Sequence, residues 1–175
     1  MNSAPVLPRC RAMSTLPLLV LALASALAAG PSTSAAQPAG SPAATPEEAV
    51  RGIFDAMRAA DSAAARRYLH PETRLHRPVE KDGEAVLRIT PVQGWLDAIG
   101  GAETGQLDEK IWNLEVNRDG RLATAWMRYA FYLDGELHHC GVNAFQLIRR
   151  EGGWQVFGVS DTSREEGCHG PPEGS

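Results

Sequence analysis

Apolar residues recur at helical spacing after residue 45, and this pattern predicts two helices. The first is predicted over residues 46–59, where the apolar positions are Val50, Ile53, Phe54 and Met57. Thr45 and Glu48 are spaced as a capping box, with a proline at the first helical position. Asp61 caps a second, short helix that ends before Pro71.

Residues 73–102 predict a hairpin and a third helix. Two short strands over residues 73–90 flank the turn Lys81-Asp82-Gly83. Thr90 and Pro91 repeat the capping pattern of the first helix, and Gly100-Gly101 ends the third helix. This helix has one apolar stripe, made by Val92, Trp95, Leu96 and Ile99.

The second half of the chain predicts an antiparallel meander. β-branched and aromatic residues are frequent in segments 107–117, 121–133, 136–149 and 154–163, and glycine-containing turns separate these segments. Helices followed by such strands predict an α+β fold in which a curved antiparallel sheet packs one face against the helices.

A two-residue turn at Asp134-Gly135 predicts which strand residues share a face. It pairs Leu133 with Glu136 and places Trp126 opposite Asn143. One face then combines aromatic and polar side chains, among them Trp126, Arg128, His139, Asn143 and Phe145. Apolar walls with a few polar groups are typical of a small-molecule pocket. The alternative is that Arg128 and Asn143 point to solvent from a half-buried sheet, and the pattern leaves both open.

The first 36 residues predict a secretory signal peptide. Arg9 and Arg11 precede an apolar stretch over residues 13–29, and small residues follow it. We expect cleavage after Ala36 or, alternatively, after Ala28; an uncleaved N-terminal anchor is the other interpretation. The predicted organisation is a signal peptide over 1–36, a disordered linker over 37–45, a domain over 46–164 and a C-terminal tail over 165–175.

Charge and motifs exclude several classes of function. The signal peptide holds two of the 17 basic residues and none of the 21 acidic ones, so the mature chain has a net charge of −6. This balance disfavours nucleic acid and anionic membranes as partners. The sequence has no glycine-rich phosphate loop, nucleophile elbow or HExxH motif, so no cofactor is expected.

The two cysteines of the mature chain predict a disulfide. Cys140 and Cys168 are most simply paired with each other in an oxidising compartment, where the bond would hold the C-terminal tail. The alternative is a zinc site that adds His138, His139 and His169 to the cysteines, but metal-ligand spacings such as CxxC and HxxxH are absent. We therefore expect no metal.

Three segments carry a resemblance to a known family. They are Trp126–Gly135, His139–Leu147 and Gly153–Val156, and together with the order of elements they resemble the nuclear transport factor 2-like superfamily, with the SnoaL-like and lumazine-binding-like bacterial branches nearest. The resemblance implies a cone-shaped cystatin-like α+β barrel, in which a strongly curved sheet wraps the helices around a cavity. It also implies a homodimer formed through the sheet.

The resemblance implies either catalysis or binding, and the residues expected in the cavity disfavour catalysis. Enzymes of the superfamily use carboxylates or an Asp–His pair inside the cone, and the strand positions expected to face the cavity hold no Asp or Glu. Asn143 stands where related sequences often carry Asp, and Asp161 is expected on the other face. Glu115 shares a strand face with Ile111 and Asn113, so it is the acid that can turn towards the cavity. Arg128 resembles an arginine that holds a carboxylate in some binding members.

The function expected from the sequence is therefore that of an exported bacterial protein, periplasmic or secreted. It would hold a small organic ligand, for example a carboxylate or an aromatic compound, without turnover, using Trp126, Arg128, His139, Asn143 and Phe145. One alternative is a cofactor-independent lyase or isomerase with His139 as the proton carrier. Another is a structural accessory domain whose cavity is filled by its own side chains.

Overall fold

The computed structural model describes residues 42–174. The predicted signal peptide and residues 37–41 of the predicted linker lie outside the described residues. Three helices and six strands follow one another in the chain: α1 (Pro46–Arg58), α2 (Ser62–Arg67), β1 (Leu69–Lys81), β2 (Glu84–Pro91), α3 (Gln93–Gly101), β3 (Leu107–Asp119), β4 (Leu122–Leu133), β5 (Glu136–Arg150) and β6 (Gly153–Asp161). None of the helices in this part of the chain is long and apolar enough to span a membrane.

The helix starts follow the sequence prediction at α1 and α2 but not at α3. The Thr45 hydroxyl accepts the backbone N–H of Glu48, and the Glu48 carboxylate accepts that of Thr45, which completes the capping box. Asp61 caps α2 by accepting the Ala64 N–H. The predicted Thr90 cap is wrong, because Thr90 and Pro91 finish strand β2 and Val92 precedes α3 without a side-chain cap.

The six strands form one curved, open sheet in the order β2-β1-β6-β5-β4-β3. The sheet is antiparallel as predicted except at one place, where β1 pairs with β6 in parallel. The other neighbouring strands are antiparallel. The chain crosses from β2 at one edge to β3 at the other through α3, so the helices lie against the concave face and the sheet wraps around them.

The core fills the space between the helices and this concave face. α1 contributes Val50, Ile53, Phe54 and Met57, and α3 contributes Leu96 and Ile99. The sheet contributes Met127, Leu147, Trp154 and Val156. Residues before α1 also pack, since Ala43 is 3% exposed and its carbonyl accepts the Trp154 N–H at 3.0 Å. The predicted disordered linker is therefore wrong for residues 42–45.

A β-bulge in β5 changes the predicted register. Leu133 pairs with Glu136 as expected, but Tyr132 pairs with Leu137 and Phe131 with His139, so His138 is the extra residue. Beyond the bulge, Trp126 lies opposite Ala144 instead of Asn143. Strand side chains alternate between the two faces of a sheet. Beyond the bulge, the odd-numbered β5 residues therefore share a face with the odd-numbered β4 residues instead of the even-numbered ones.

The C-terminal tail is fastened to β5, as the cysteine pattern predicted. Cys140 and Cys168 form a disulfide with their Cα atoms 5.5 Å apart. Beyond β6, the backbone groups of Arg164 and Cys140 exchange two hydrogen bonds, of 2.9 and 3.0 Å. The tail thus continues alongside β5 before the disulfide closes.

Candidate functional site

A cavity of about 270 Å³ lies between the helices and the concave face of the sheet. Its walls are mainly apolar and aromatic, and include Met57, Trp95, Phe131, Phe145 and Val159. The polar lining residues come from five strands: Arg77, Glu109, Tyr129, His139, Asn143 and Asp161. The side chains leave this space open, so the expectation of a cavity filled by its own side chains is wrong. Apolar walls with a few polar groups are typical of a small-molecule site.

Glu109 supplies a carboxyl group inside the cavity. Leu107, Glu109 and Ile111 occupy alternate positions at the start of β3, and because Leu107 and Ile111 pack against the core, Glu109 turns towards the helices with them. Asn143 Nδ2 donates to Glu109 Oε1 at 2.6 Å. Burial raises the pKa of Glu109 to about 7, although the Asn143 hydrogen bond and Arg77 act in the opposite direction. This carboxyl therefore exchanges its proton near neutral pH.

Arg77 and Asp161 form a two-pronged ion pair beside Glu109. Arg77 Nε donates to Asp161 Oδ1 at 3.0 Å, and a terminal guanidinium nitrogen donates to Oδ2. The parallel pairing of β1 with β6 brings the two residues together, since the preceding residues His76 and Ser160 are register partners. The Asp161 hydrogen bonds raise the pKa of Arg77. The positive charge of Arg77 is thus already engaged by a carboxylate.

His139 and Tyr129 complete the polar lining. The His139 ring lies 4.8 Å from the Phe131 ring between centroids, and its Nδ1 lies 2.9 Å from that of His138. Burial and the neighbouring His138 lower the pKa of His139, which favours the neutral imidazole. The Tyr129 hydroxyl donates to the Thr162 carbonyl at 2.9 Å, and burial raises its pKa to about 12. Tyr129 therefore remains a neutral hydroxyl.

The structure brings three of the five predicted ligand-binding residues to the cavity. His139, Asn143 and Phe145 line it. Trp126 and Arg128 lie on the convex face of the sheet, where Trp126 is 55% exposed, so their predicted place in the pocket is wrong. The physical reason is the bulge at His138. Because of it, the even-numbered β4 residues point to the face of the sheet opposite to that of His139 and Asn143.

The expectation that the cavity contains no carboxylate is also wrong. Glu109 and Asp161 both line it, whereas Glu115, considered able to turn inward, is exposed. The alternation of Leu107, Glu109 and Ile111 is a sequence signal that places Glu109 inward. No comparable signal exists for Asp161, because a second bulge between Val156 and Gly158 shifts the register of β6. Arg77 also lies on a strand whose register carries a bulge, between Leu69 and Arg74.

The described residues contain no group of three or more His, Cys, Asp or Glu side chains arranged to hold a metal ion. His138 and His139 lie beside Cys140, but the Cys140 sulfur is bonded to Cys168. The sulfur atoms are therefore not thiolate ligands in this state.

Comparison with solved structures identifies the fold. A nuclear transport factor 2-like protein of unknown function from Shewanella baltica superposes with a TM-score of 0.52 and 20% identity, covering 67% of this chain and 90% of that one. A nuclear transport factor 2-like protein with a cystatin-like fold from Novosphingobium aromaticivorans gives a TM-score of 0.51 and 14% identity over 69% of this chain and 80% of that one. A Thiobacillus denitrificans protein, described as a putative calcium/calmodulin-dependent protein kinase type II association domain, gives 0.54 and 14% over 70% and 97%.

The chain therefore has the nuclear transport factor 2-like, or cystatin-like, fold, as the resemblance predicted. No family model and no curated protein matches the sequence. At these identities the likeness extends to the fold alone, and the same fold serves many functions.

Proposed function

We propose that this protein is exported and binds a small organic ligand in the cavity of the cone. The observation that carries the proposal is an open cavity of about 270 Å³ whose apolar walls surround one cluster of hydrogen-bonding groups. A space of this size suits a small organic ligand. The signal-like N-terminus supports export, and the disulfide fits an oxidising compartment.

The site that supports this function differs from the one expected from the sequence. Glu109, His139 and Asn143 provide the polar contacts, and Phe131 and Phe145 provide apolar wall. A carboxylate ligand held by Arg128 is not proposed, because Arg128 lies on the convex face.

The test is a ligand screen read out by methyl NMR spectra of the full mature chain. We expect at least one small aromatic compound to shift the Leu69, Leu75 and Val159 methyl signals, since these residues line the cavity. A Val159→Phe variant fills part of the cavity and should lose the response. Val86→Phe, on the exposed edge strand β2, adds the same ring and should keep it. A broad library of one- and two-ring compounds that leaves these signals unmoved overturns the proposal.

A second candidate function is acid–base catalysis in the same cavity, and the titration of Glu109 near neutral pH favours it. A general acid or base works best when its pKa lies near the operating pH. The proton carrier of such a lyase or isomerase would be Glu109 rather than His139, whose pKa is lowered. For any compound found in the screen, turnover that disappears in Glu109→Gln and survives in His139→Gln supports this candidate. A compound recovered unchanged after prolonged incubation leaves binding as the function.

We also propose that the protein forms a homodimer through the convex face of the sheet. Leu122 and Trp126 are 53% and 55% exposed there, and their β5 partners Ile148 and Ala144 extend the apolar surface. Large exposed apolar side chains that share one face favour association. Light scattering coupled to size-exclusion chromatography should give twice the chain mass for the native protein and the single mass for Trp126→Glu. A monomeric native protein contradicts the proposal.

A further inference from the structure

We propose that the cavity selects a small organic cation, an amine with an aromatic or aliphatic body, over neutral and anionic molecules of the same size. This inference rests on the proposed binding function and names the chemical class of its ligand. It follows from which charges line the cavity, which of them are already neutralised, and what surrounds the remaining one.

The cavity contains no uncommitted positive charge. Arg77 is the one arginine among the lining residues, and no lysine is among them. Both carboxylate oxygens of Asp161 accept hydrogen bonds from Arg77, so the pair is neutral as a unit. His139 is favoured in its neutral form by burial. An anionic ligand would therefore be desolvated without a cation to receive it, which is strongly unfavourable.

Glu109 is the acid left without a cation of its own. Its hydrogen bond within the described residues comes from the neutral amide of Asn143. Arg77 acts on Glu109 through space, while its guanidinium is bonded to Asp161. A ligand that enters the cavity excludes water from the carboxylate. An ammonium group that donates to the carboxylate replaces the lost hydration with a charge-assisted hydrogen bond.

Aromatic side chains line the same cavity as this acid. Phe131 is the register partner of Glu109, and Trp95, Tyr129 and Phe145 also line the cavity. The face of an aromatic ring attracts a cation within about 6 Å, and the attraction increases when the cation is desolvated. The same rings provide apolar contact for the body of the ligand. Both features favour an organic ammonium ion over a hydrated inorganic one.

The test compares three probes of matched size: phenethylamine as the cation, phenethyl alcohol as the neutral molecule and phenylacetate as the anion. Their dissociation constants are measured by calorimetry at about pH 8, where Glu109 with a pKa of about 7 is mostly ionised. We expect phenethylamine to bind at least about tenfold more tightly than the alcohol, and phenylacetate to bind least.

Two variants test whether Glu109 is responsible. Glu109→Gln keeps an acceptor for Asn143 and removes the charge, so it should weaken phenethylamine at least about tenfold and leave the alcohol unchanged. Glu115→Gln removes an exposed charge from the same strand and should change neither. Methyl NMR spectra of each variant verify that the fold is retained.

The pH dependence provides an independent readout. With a pKa of about 7, the ionised fraction of Glu109 falls about 30-fold between pH 8 and pH 5.5, and the affinity for phenethylamine should fall with it. In Glu109→Gln this dependence should disappear. The titratable or charged groups that line the cavity with Glu109 are Arg77, Tyr129, His139 and Asp161 on the sheet, whereas Arg51, Asp55 and Arg58 on α1 and the neighbouring Lys110 line a separate pocket that Glu109 also borders. Of these groups, His139 alone has an ordinary pKa in the tested range, and a dependence that came from His139 would persist in Glu109→Gln.

The outcomes separate this inference from the proposed function. If the alcohol or phenylacetate binds as tightly as the amine and Val159→Phe abolishes the binding, the cavity binds ligands but the preference for cations is wrong. Amine binding that is insensitive to Glu109→Gln also overturns the inference. Failure of all three probes to bind the native protein, together with an unresponsive ligand screen, overturns both proposals.

Discussion

Glu109 is the residue on which the chemistry of the cavity depends, because it is a carboxyl group enclosed with aromatic side chains and bonded to a neutral amide. Burial disfavours the charged form, and this effect exceeds the stabilisation by Asn143 and Arg77. An acid in such surroundings makes the folded state less stable when it ionises. The same property makes it receptive to a ligand that brings a positive charge or exchanges a proton.

Replacing Glu109 should therefore stabilise the protein at high pH. The pKa of Glu109 rises from 4.5 to about 7 on folding, so the folded state binds more protons and loses stability as the pH rises through this window. Glu109→Gln should exceed the native protein by about 3 kcal/mol in free energy of unfolding at about pH 8 and match it at about pH 4. Urea denaturation at both pH values measures this difference. A constant difference between the two pH values contradicts the explanation.

Breaking the Arg77–Asp161 ion pair should lower the free energy of unfolding, in contrast to the replacement of Glu109. Asp161→Asn leaves the guanidinium of Arg77, only 33% exposed, without its carboxylate partner. We expect a loss of about 1–3 kcal/mol in the free energy of unfolding, below the cost at a fully buried pair. Asp55→Asn is the control, since Asp55 is 70% exposed in its pair with Arg58 and should cost less than about 1 kcal/mol. Equal losses in the two variants would show that the partial burial of the Arg77–Asp161 pair does not increase its contribution to stability.

At the level of elements, local patterns predicted the helices and the order of the strands but not the full register of the sheet. The capping box at Thr45 and the turn at Asp134-Gly135 are contained within a few residues, so the sequence identifies them directly. The bulge at His138 is a feature of the pairing between β4 and β5, and no local pattern in the sequence identifies it. A one-residue shift exchanges the faces of a strand, so the register predicted from the turn alone puts Trp126 and Arg128 in the cavity.

The close approach of the tail to β5 is a second feature that local patterns do not reveal. A Cβ atom added at Gly141 would lie 1.9 Å from the Thr162 carbonyl oxygen. Gly141→Ala should therefore displace the segment after β6 and cost more than about 2 kcal/mol in free energy of unfolding. Gly152→Ala, where a Cβ meets nothing within 4 Å, should be nearly neutral. Thermal unfolding followed by circular dichroism compares the two, and a neutral Gly141→Ala would contradict this packing.

At the scale of the whole molecule, the disulfide connects the tail to the middle of the sheet. It joins residues separated by 28 positions, and the chain-entropy model gives about 3.5 kcal/mol for closing such a loop. The double variant Cys140→Ala, Cys168→Ala should lose up to about this free energy and keep the fold, since the core lies between the helices and the sheet. Denaturant unfolding of the oxidised protein and of this variant measures the loss. An unchanged midpoint would show that the tail contributes no stability.

The fold encloses the carboxyl group of Glu109 in the cavity, and the pKa of this group measures the enclosure directly. Carbon-13 NMR of the side-chain carboxyl groups, titrated with pH and assigned with Glu109→Gln, reports the pKa of Glu109 itself. We expect a midpoint near 7, and a lower one when phenethylamine is bound. A midpoint near the ordinary value of 4.5 would mean that the carboxyl is solvated rather than enclosed, and would contradict the site described above.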